Sequence, residues 1–231
     1  RLSKAASPIF LKGAAALRNL TSYELHTGKL KKPVIFGVVS DLHDEPYDDL
    51  WPLLAGCDAL LVPGDVVNRY TQTSARGIAF LQDAARRLPT FFSLGNHETK
   101  TKQFQALMQA LNGTGAEILV NGWYDPEIVR QPDCMDEFER LPGCRVLLCH
   151  KPEHYIKFLR GRDVELVVAG HAHGGQIRIG SQGLYAPGQH FFPKYTKGIV
   201  DGRLVISAGA GNPCGMPRWG NPCEVLKITL D

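Results

Sequence analysis

Five short apolar runs constrain this chain more than any other feature: "VIFGVVS", "ALLVP", "TFFSL", "RVLLC" and "VELVVA". None shows the alternation of a half-exposed strand, and all are too short for a buried helix. Each therefore predicts a strand covered on both faces. Helical spacing intervenes between them. "TQTSARGIAFLQDAARRL" places Ile78, Phe80, Leu81, Ala84 and Leu88 on one side, "KQFQALMQALNG" closes on a glycine, and "EHYIKFLRG" follows the fourth run. "AEILV" predicts a further short strand. The last third ("QIRIG", "LVISAGAG", "EVLKITLD") is strand-rich, so the whole predicts an α/β fold of mixed sheets sandwiched by helices. Residues 7–20 predict a short amphipathic helix, giving an expected helical lead-in over 1–32 and a single domain over 33–231. The stretch 118–144 has little periodicity and reads either as a connection or as a shortened hairpin.

The residues that close these runs are the second constraint. Asp41-Leu42-His43 follows the first, Gly64-Asp65 the second and Gly95-Asn96-His97-Glu98 the third; His150 follows the fourth and Gly170-His171-Ala172-His173 the fifth. In open α/β sheets the carboxyl ends of the strands line one edge, where ligands bind. These side chains can therefore converge although they span more than half the chain. Singly, Asp41, His43 and Asp65 would be turn residues and His150 a helix cap. Coincidence at five strand ends is a weaker account than a shared purpose.

The donor types narrow that purpose. Two aspartates, one Asn amide oxygen and four imidazoles are too rich in nitrogen for Mg²⁺ or Ca²⁺ and lack the thiolates of structural zinc, which leaves Mn, Fe or Zn. Seven donors exceed the needs of one catalytic ion with an open position. They suit two ions about 3.5–4 Å apart sharing a carboxylate.

Composition excludes some alternatives. A net charge of +3, from 26 basic and 23 acidic residues, makes no electrostatic case for nucleic acid. No apolar run is long enough to span a bilayer. The chain opens on Arg1, so the expected location is either cytoplasmic or membrane-associated with a signal or anchor removed. Six cysteines without a C-x-x-C pair read as reduced thiols. Cys149 falls on the opposite strand face from His150, and Cys214 and Cys223 read as two "NPC" turns rather than a zinc pair.

The set D-x-H, G-D, G-N-H-E, a strand-end His and G-H-x-H, in that order, resembles the calcineurin-like metallophosphoesterase superfamily over roughly residues 33–231. The resemblance implies a four-layer αββα sandwich of two mixed β-sheets flanked by helices. It implies one metal held by Asp41, His43, Asp65 and His173, and a second held by Asp65 as bridge, Asn96, His150 and His171. His97 matches the family's general acid or transition-state stabiliser. The implied reaction is hydrolysis of a phosphodiester or pyrophosphate bond by a metal-bridging hydroxide.

"GHAHGGQIRIG", "GLYAPGQHFFPKYTKGIV" and "RWGNPCEV" resemble a bacterial branch of often membrane-associated phosphodiesterases that includes UDP-2,3-diacylglucosamine pyrophosphatase-like enzymes. That branch implies a small-molecule, lipid-linked or nucleotide-like phosphoester and a peripheral membrane association. Asp44 stands where the branch commonly has Asn, and residues 118–130 are shorter than its usual stretch. A nuclease or cyclic nucleotide phosphodiesterase with the same metal centre is the alternative enzyme, and a non-catalytic binding protein on this fold is the alternative class. The complete donor set argues against the latter. Candidate substrate contacts are Arg69, Lys151, His190, Lys194 and Arg218, while "HFFPKY" (190–195) reads either as a packed loop or as an apolar lip over the cleft.

Overall fold

A computed structural model describes residues 18–119, 135–141, 144–212 and 217–231. In chain order its strands are β1 (Asn19–Leu25), β2 (Val34–Val38), β3 (Ala59–Val62), β4 (Thr90–Ser93), β5 (Glu117–Leu119), β6 (Met135–Leu141), β7 (Cys144–Cys149) and β8 (Leu166–Ala169). Four two-residue strands follow: β9 (Arg178–Ile179), β10 (Gln182–Gly183), β11 (Tyr185–Ala186) and β12 (His190–Phe191). β13 (Gly198–Val200), β14 (Leu204–Ile206) and β15 (Glu224–Leu230) complete the set. The helices are α1 (Leu50–Leu54), α2 (Ala75–Arg87), α3 (Asn96–Thr99), α4 (Phe104–Asn112) and α5 (Pro152–His154), the last running into a π-helical turn at Tyr155–Leu159.

Two mixed sheets result, in the orders β1-β15-β2-β3-β4-β5 and β13-β14-β8-β7-β6. In the first, β2 to β5 are parallel neighbours and β15 runs antiparallel to β2. In the second, β7, β8 and β14 are parallel, with β6 and β13 antiparallel at the edges. Strand periodicity of two sends alternate residues to opposite faces. Leu61, Phe91, Leu226 and Ile228 of the first sheet meet Val146, Leu148, Val168 and Val205 of the second in the layer between them. Their neighbours Leu60, Val62, Phe92 and Val225 face outward against α1, α2 and α4, where Leu50, Phe80, Leu81 and Leu111 are buried. On the far side Leu147, Cys149, Val167, Ala169 and Ile206 pack on Tyr155 and Leu159. The apolar runs lack alternation because both faces of both sheets are covered, and the product is the expected four-layer α/β sandwich.

Two stretches differ from the simplest reading of their sequence. Asn19–Leu25, inside the expected lead-in, is a strand paired in parallel with β15. Its alternation explains this: Leu20 packs on the helical side while Tyr23 and Leu25 join the inter-sheet core. Residues 1–17, with most of the expected helix over 7–20, lie outside the described residues. Within 118–144, β6 pairs antiparallel with β7, as in the hairpin reading. Residues 120–134 lie outside the described set, as does Cys214.

Candidate metal centre

The carboxyl ends of β2, β3, β4, β7 and β8 carry the polar residues singled out above, and the backbone draws those ends together. Asp41 N–H donates to Gly64 O at 3.0 Å, His43 N–H to Asp65 O at 3.0 Å and Gly170 N–H to His150 O at 3.0 Å. The two sheets are tied across the gap by His171 N–H, which donates to Asp41 Oδ1 at 3.0 Å. Asp41, His43, Asp65, Asn96, His97, His150, His171 and His173 are all buried.

Three groups of these side chains present donor atoms close enough to hold a metal ion: Asp41, His43 and His173; His43, Asp65 and His97; and Asp65, His150 and His171. In the first, the Nε2 atoms of His43 and His173 face each other at 3.3 Å and lie 4.0 and 3.6 Å from Asp41 Oδ1. Asp65 Oδ2 is 3.9 Å from His43 Nε2 and 3.2 Å from His150 Nε2, so it stands between the two ends of the cluster. His150 Nε2 is also 3.3 Å from Asn96 Oδ1. Adjacent ligands about 2.1 Å from a common ion are roughly 3.0–3.4 Å apart, and opposite ones roughly 4.2 Å. The spacings here fall in that range. His150 Nδ1 contacts Pro63 O at 2.7 Å, the orientation in which a His donates to a carbonyl and leaves Nε2 for a metal.

Burial dominates the electrostatics of the cluster. Burial holds His43 and His173 down to about 3, and burial likewise drives His171 well below the ordinary imidazole range. Burial also raises Asp41 above the usual carboxylate range. Burial opposes a charged His150, yet Asp65 and Asp41 outweigh it and raise that imidazole to about 10. Three of the four imidazoles are thus held neutral, the state that ligates a metal, beside buried carboxylates.

His97 lies beside the groups just described. Its N–H donates to Asp65 Oδ1 at 2.7 Å and its ring meets His43 edge-on, with centroids 4.3 Å apart. Its Nδ1 accepts the Arg69 N–H at 3.2 Å.

The candidate substrate contacts fall at different places. The Arg218 guanidinium donates to His173 Nδ1 at 2.8 Å, Ala208 O at 2.6 Å and Gly211 O at 2.7 Å. Its Nε is buried without a hydrogen-bond partner among the described residues. Lys151 directly follows His150, and its charge bears on His171. The Arg69 guanidinium lies 4.7 Å from the Tyr70 ring centre, next to His97. His190 and Lys194 are exposed on the outer hairpins, Lys194 with its amine 5.4 Å from the Tyr195 ring. Among the described residues no hydrogen bond or ion pair links either of them to the seven donors. Asp44 is taken up by backbone, accepting Asn68 N–H at 2.7 Å and Gly77 N–H at 2.9 Å.

Three supporting residues carry no role in the sequence reading. The buried Glu98 carboxylate accepts N–H groups from Asp65, Val67 and Gly95 at 2.9, 3.1 and 2.7 Å, so it clamps the ends of β3 and β4 together. Ser40 Oγ donates to Asp41 Oδ2. Asn221 Nδ2 donates to His173 O at 2.7 Å and Gln176 O at 3.1 Å, bracing the turn that bears His171 and His173. Glu98 was signalled, since an acid directly after Asn96-His97 and ahead of a helix needs a partner. Asn221 gave no such signal.

Comparison with known proteins agrees with this geometry. A family model described as calcineurin-like phosphoesterase matches residues 35–175, a span that contains all seven donors and His97. An uncharacterized metallophosphoesterase of Campylobacter jejuni is 25% identical over 246 aligned positions, covering 90% of this chain and 62% of its own length. A transmembrane protein with metallophosphoesterase domain from Bos taurus is 28% identical, covering 75% of this chain and 46% of its own length. The chain thus spans about half to three-fifths of those relatives. A solved structure, the Pseudomonas putida nuclease MPE, is 21% identical, covers 59% of each chain and superposes with a TM-score of 0.33. Among the described residues no helix is long and apolar enough to cross a membrane. With its family match covering more than half of the sequence, this chain belongs to the calcineurin-like phosphoesterase family.

Proposed function

We propose that the chain is a dinuclear metal-dependent phosphoesterase that hydrolyses a phosphodiester or pyrophosphate bond in a lipid-linked or nucleotide-like substrate. The observation that supports this reading is the convergence of donors from five strand ends, with Asp65 within reach of both groups. In it, Asp41, His43, Asp65 and His173 hold one ion, and Asp65, Asn96, His150 and His171 hold the other, as Mn, Fe or Zn. Such ions, when bound, supply Lewis-acid polarisation of a phosphoryl oxygen and a water of lowered pKa.

The remaining work falls to the chain's own groups. Because Nδ1 of His97 accepts from the Arg69 amide, the neutral ring carries its proton on Nε2, where it can donate a hydrogen bond to the leaving oxygen and stabilise the charge that develops there. Arg218, against His173, and Lys151, beside His150, place positive charge where an anionic phosphoester enters. Burial of the cluster strengthens each of these interactions by excluding water.

Metal analysis after reconstitution should find about two ions per chain, as a shared-carboxylate site requires. The same preparation should turn over bis(p-nitrophenyl) phosphate. His97→Ala should keep its ions and lose about 10²–10⁴-fold in turnover on a diester with a poor alkoxide leaving group, and far less with p-nitrophenolate. A single ion per chain, or undiminished turnover in Asp65→Asn, would overturn the reading.

A further inference from the structure

We infer that Arg218 is a positioning residue that couples metal loading to capture of the substrate's phosphoryl group. It holds His173 in a form that cannot ligate, and uptake of an ion releases it to the anion. The inference rests on the metal-dependent reading above and gives that site an order of binding.

Two candidate ligands are poised in opposite ways. Nδ1 of His150 meets Pro63 O at 2.7 Å, and a carbonyl only accepts, so Nδ1 carries the hydrogen and Nε2 keeps the lone pair a metal needs. Nδ1 of His173 instead meets Nη2 of Arg218 at 2.8 Å, and a guanidinium only donates. Nδ1 is therefore the acceptor, and the ring carries its one hydrogen on Nε2. That Nε2 lies 3.3 Å from His43 Nε2 and 3.6 Å from Asp41 Oδ1, facing the other members of the first candidate ligand group. A ring nitrogen bearing hydrogen has no lone pair to give a metal. Ligation through Nε2 moves the hydrogen to Nδ1, where it confronts the hydrogens of the guanidinium. The hydrogen bond from Arg218 and the bond to a metal are thus alternatives for His173.

The other contacts of Arg218 keep its head group at the site once that hydrogen bond is given up. Nη1 donates to Ala208 O at 2.6 Å and Nη2 to Gly211 O at 2.7 Å. A Cβ on Gly209 would lie 3.0 Å from Asp41 Cβ and 3.3 Å from Arg218 Nη2, so Nη2 stands beside two candidate ligands of one ion. Asn221, three residues on, donates to His173 O at 2.7 Å and ties this segment to the ligand turn. Nε is buried with no hydrogen-bond partner among the described residues, and release of Nη2 frees a second N–H of the same planar group. Buried unpaired donors are costly, and a pair of phosphoryl oxygens satisfies such a fork.

Nitrogen NMR spectra of wild-type protein carrying isotope-labelled histidine test the first half, because the two tautomers differ in which ring nitrogen bears hydrogen. His173 should carry it on Nε2 without metal and on Nδ1 with Zn²⁺. A hydrogen already on Nδ1 in the metal-free protein would overturn the inference. Arg218→Met tests the second half through two binding constants. Zn²⁺, measured against a competing chelator, should bind about tenfold more tightly than in wild type, because ligation no longer breaks a charge-assisted hydrogen bond. Inorganic phosphate, titrated calorimetrically into the zinc-loaded proteins, should bind about tenfold or more weakly. A residue that merely braces the turn would weaken both, and that result, or an unchanged phosphate affinity, overturns the inference. Should the variant fail to fold, the wild-type spectra decide. Wild-type protein that takes up Zn²⁺ and turns over bis(p-nitrophenyl) phosphate, yet fails these tests, sinks the inference alone. If the tests succeed and turnover is absent, the hydrolase reading fails alone.

Discussion

Asp41, His43, Asp65, His171 and His173 all sit at positive φ, between 46° and 65°. Five of the seven candidate ligands therefore occupy a conformation that costs non-glycine residues about 1–3 kcal/mol each, and such strain persists only where the surroundings over-determine it. Here they do. Glu98 gathers three amides, Asp41 receives the His171 N–H, and two glycines remove atoms that would collide. A Cβ on Gly95 would strike Asp65 Oδ1, and one on Gly170 would strike Asp41 Oδ2. Gly95→Ala should accordingly displace the Asp65 carboxylate, and metal content measured after dialysis should fall well below that of wild type. Glu98→Ala strands three buried amides, each worth about 1–3 kcal/mol. Urea unfolding should show a loss of about 3 kcal/mol or more, and Glu98→Gln, which keeps one acceptor oxygen, a smaller one.

At the scale of elements, short parallel strands deliver the site. β2, β3 and β4 have only four or five residues apiece, so each apolar run ends abruptly and its next few residues reach the shared edge. Those strands must be held rigidly from outside, and α2 does so. Phe80, fully buried, stacks on Trp51 with centroids 5.9 Å apart and meets Tyr47 at 5.5 Å, all over the outer face of β3 and β4. Phe80→Ala should cost about 3–5 kcal/mol by chemical denaturation, the range for a buried aromatic truncated in a packed core. A loss under 1 kcal/mol would mean that the helix is not clamped there. The elements legible in advance were those with one dominant signal. α2 and α4 showed helical spacing, and the central strands showed unbroken apolar runs. β1 went unread because a seven-residue edge strand with polar alternate positions resembles a solvated lead-in until β15 is beside it.

For the molecule as a whole, the cluster sits between two sheets, one bringing the buried carboxylates Asp41 and Asp65 and the other His150, His171 and His173, and a cation there should stabilise both. At metal concentrations about a hundredfold above Kd, binding adds about 2.7 kcal/mol, or roughly 5–10 °C in Tm for a domain of this size. Chelator should lower Tm by that margin in the wild-type protein and by much less in an Asp41→Asn, Asp65→Asn double variant. An unchanged melting curve would be incompatible with a metal held between the sheets. The convergence of the seven candidate donors and His97 was legible in the chain because the carboxyl ends of parallel strands share an edge. Covered strands, alternating helices and the chemistry of the donor set were likewise local properties, written in runs of a few residues. The tertiary structure alone decided which amides Glu98 would clamp, that Asn221 would brace the His171–His173 turn, that Asp44 would be consumed by backbone, and that Tyr185 of β11 and Phe191 of β12 would line an apolar cavity with Ile177 and Leu184. Those outcomes depend on groups distant in the chain meeting at a few ångströms, and no periodicity within a segment encodes a partner that lies outside it.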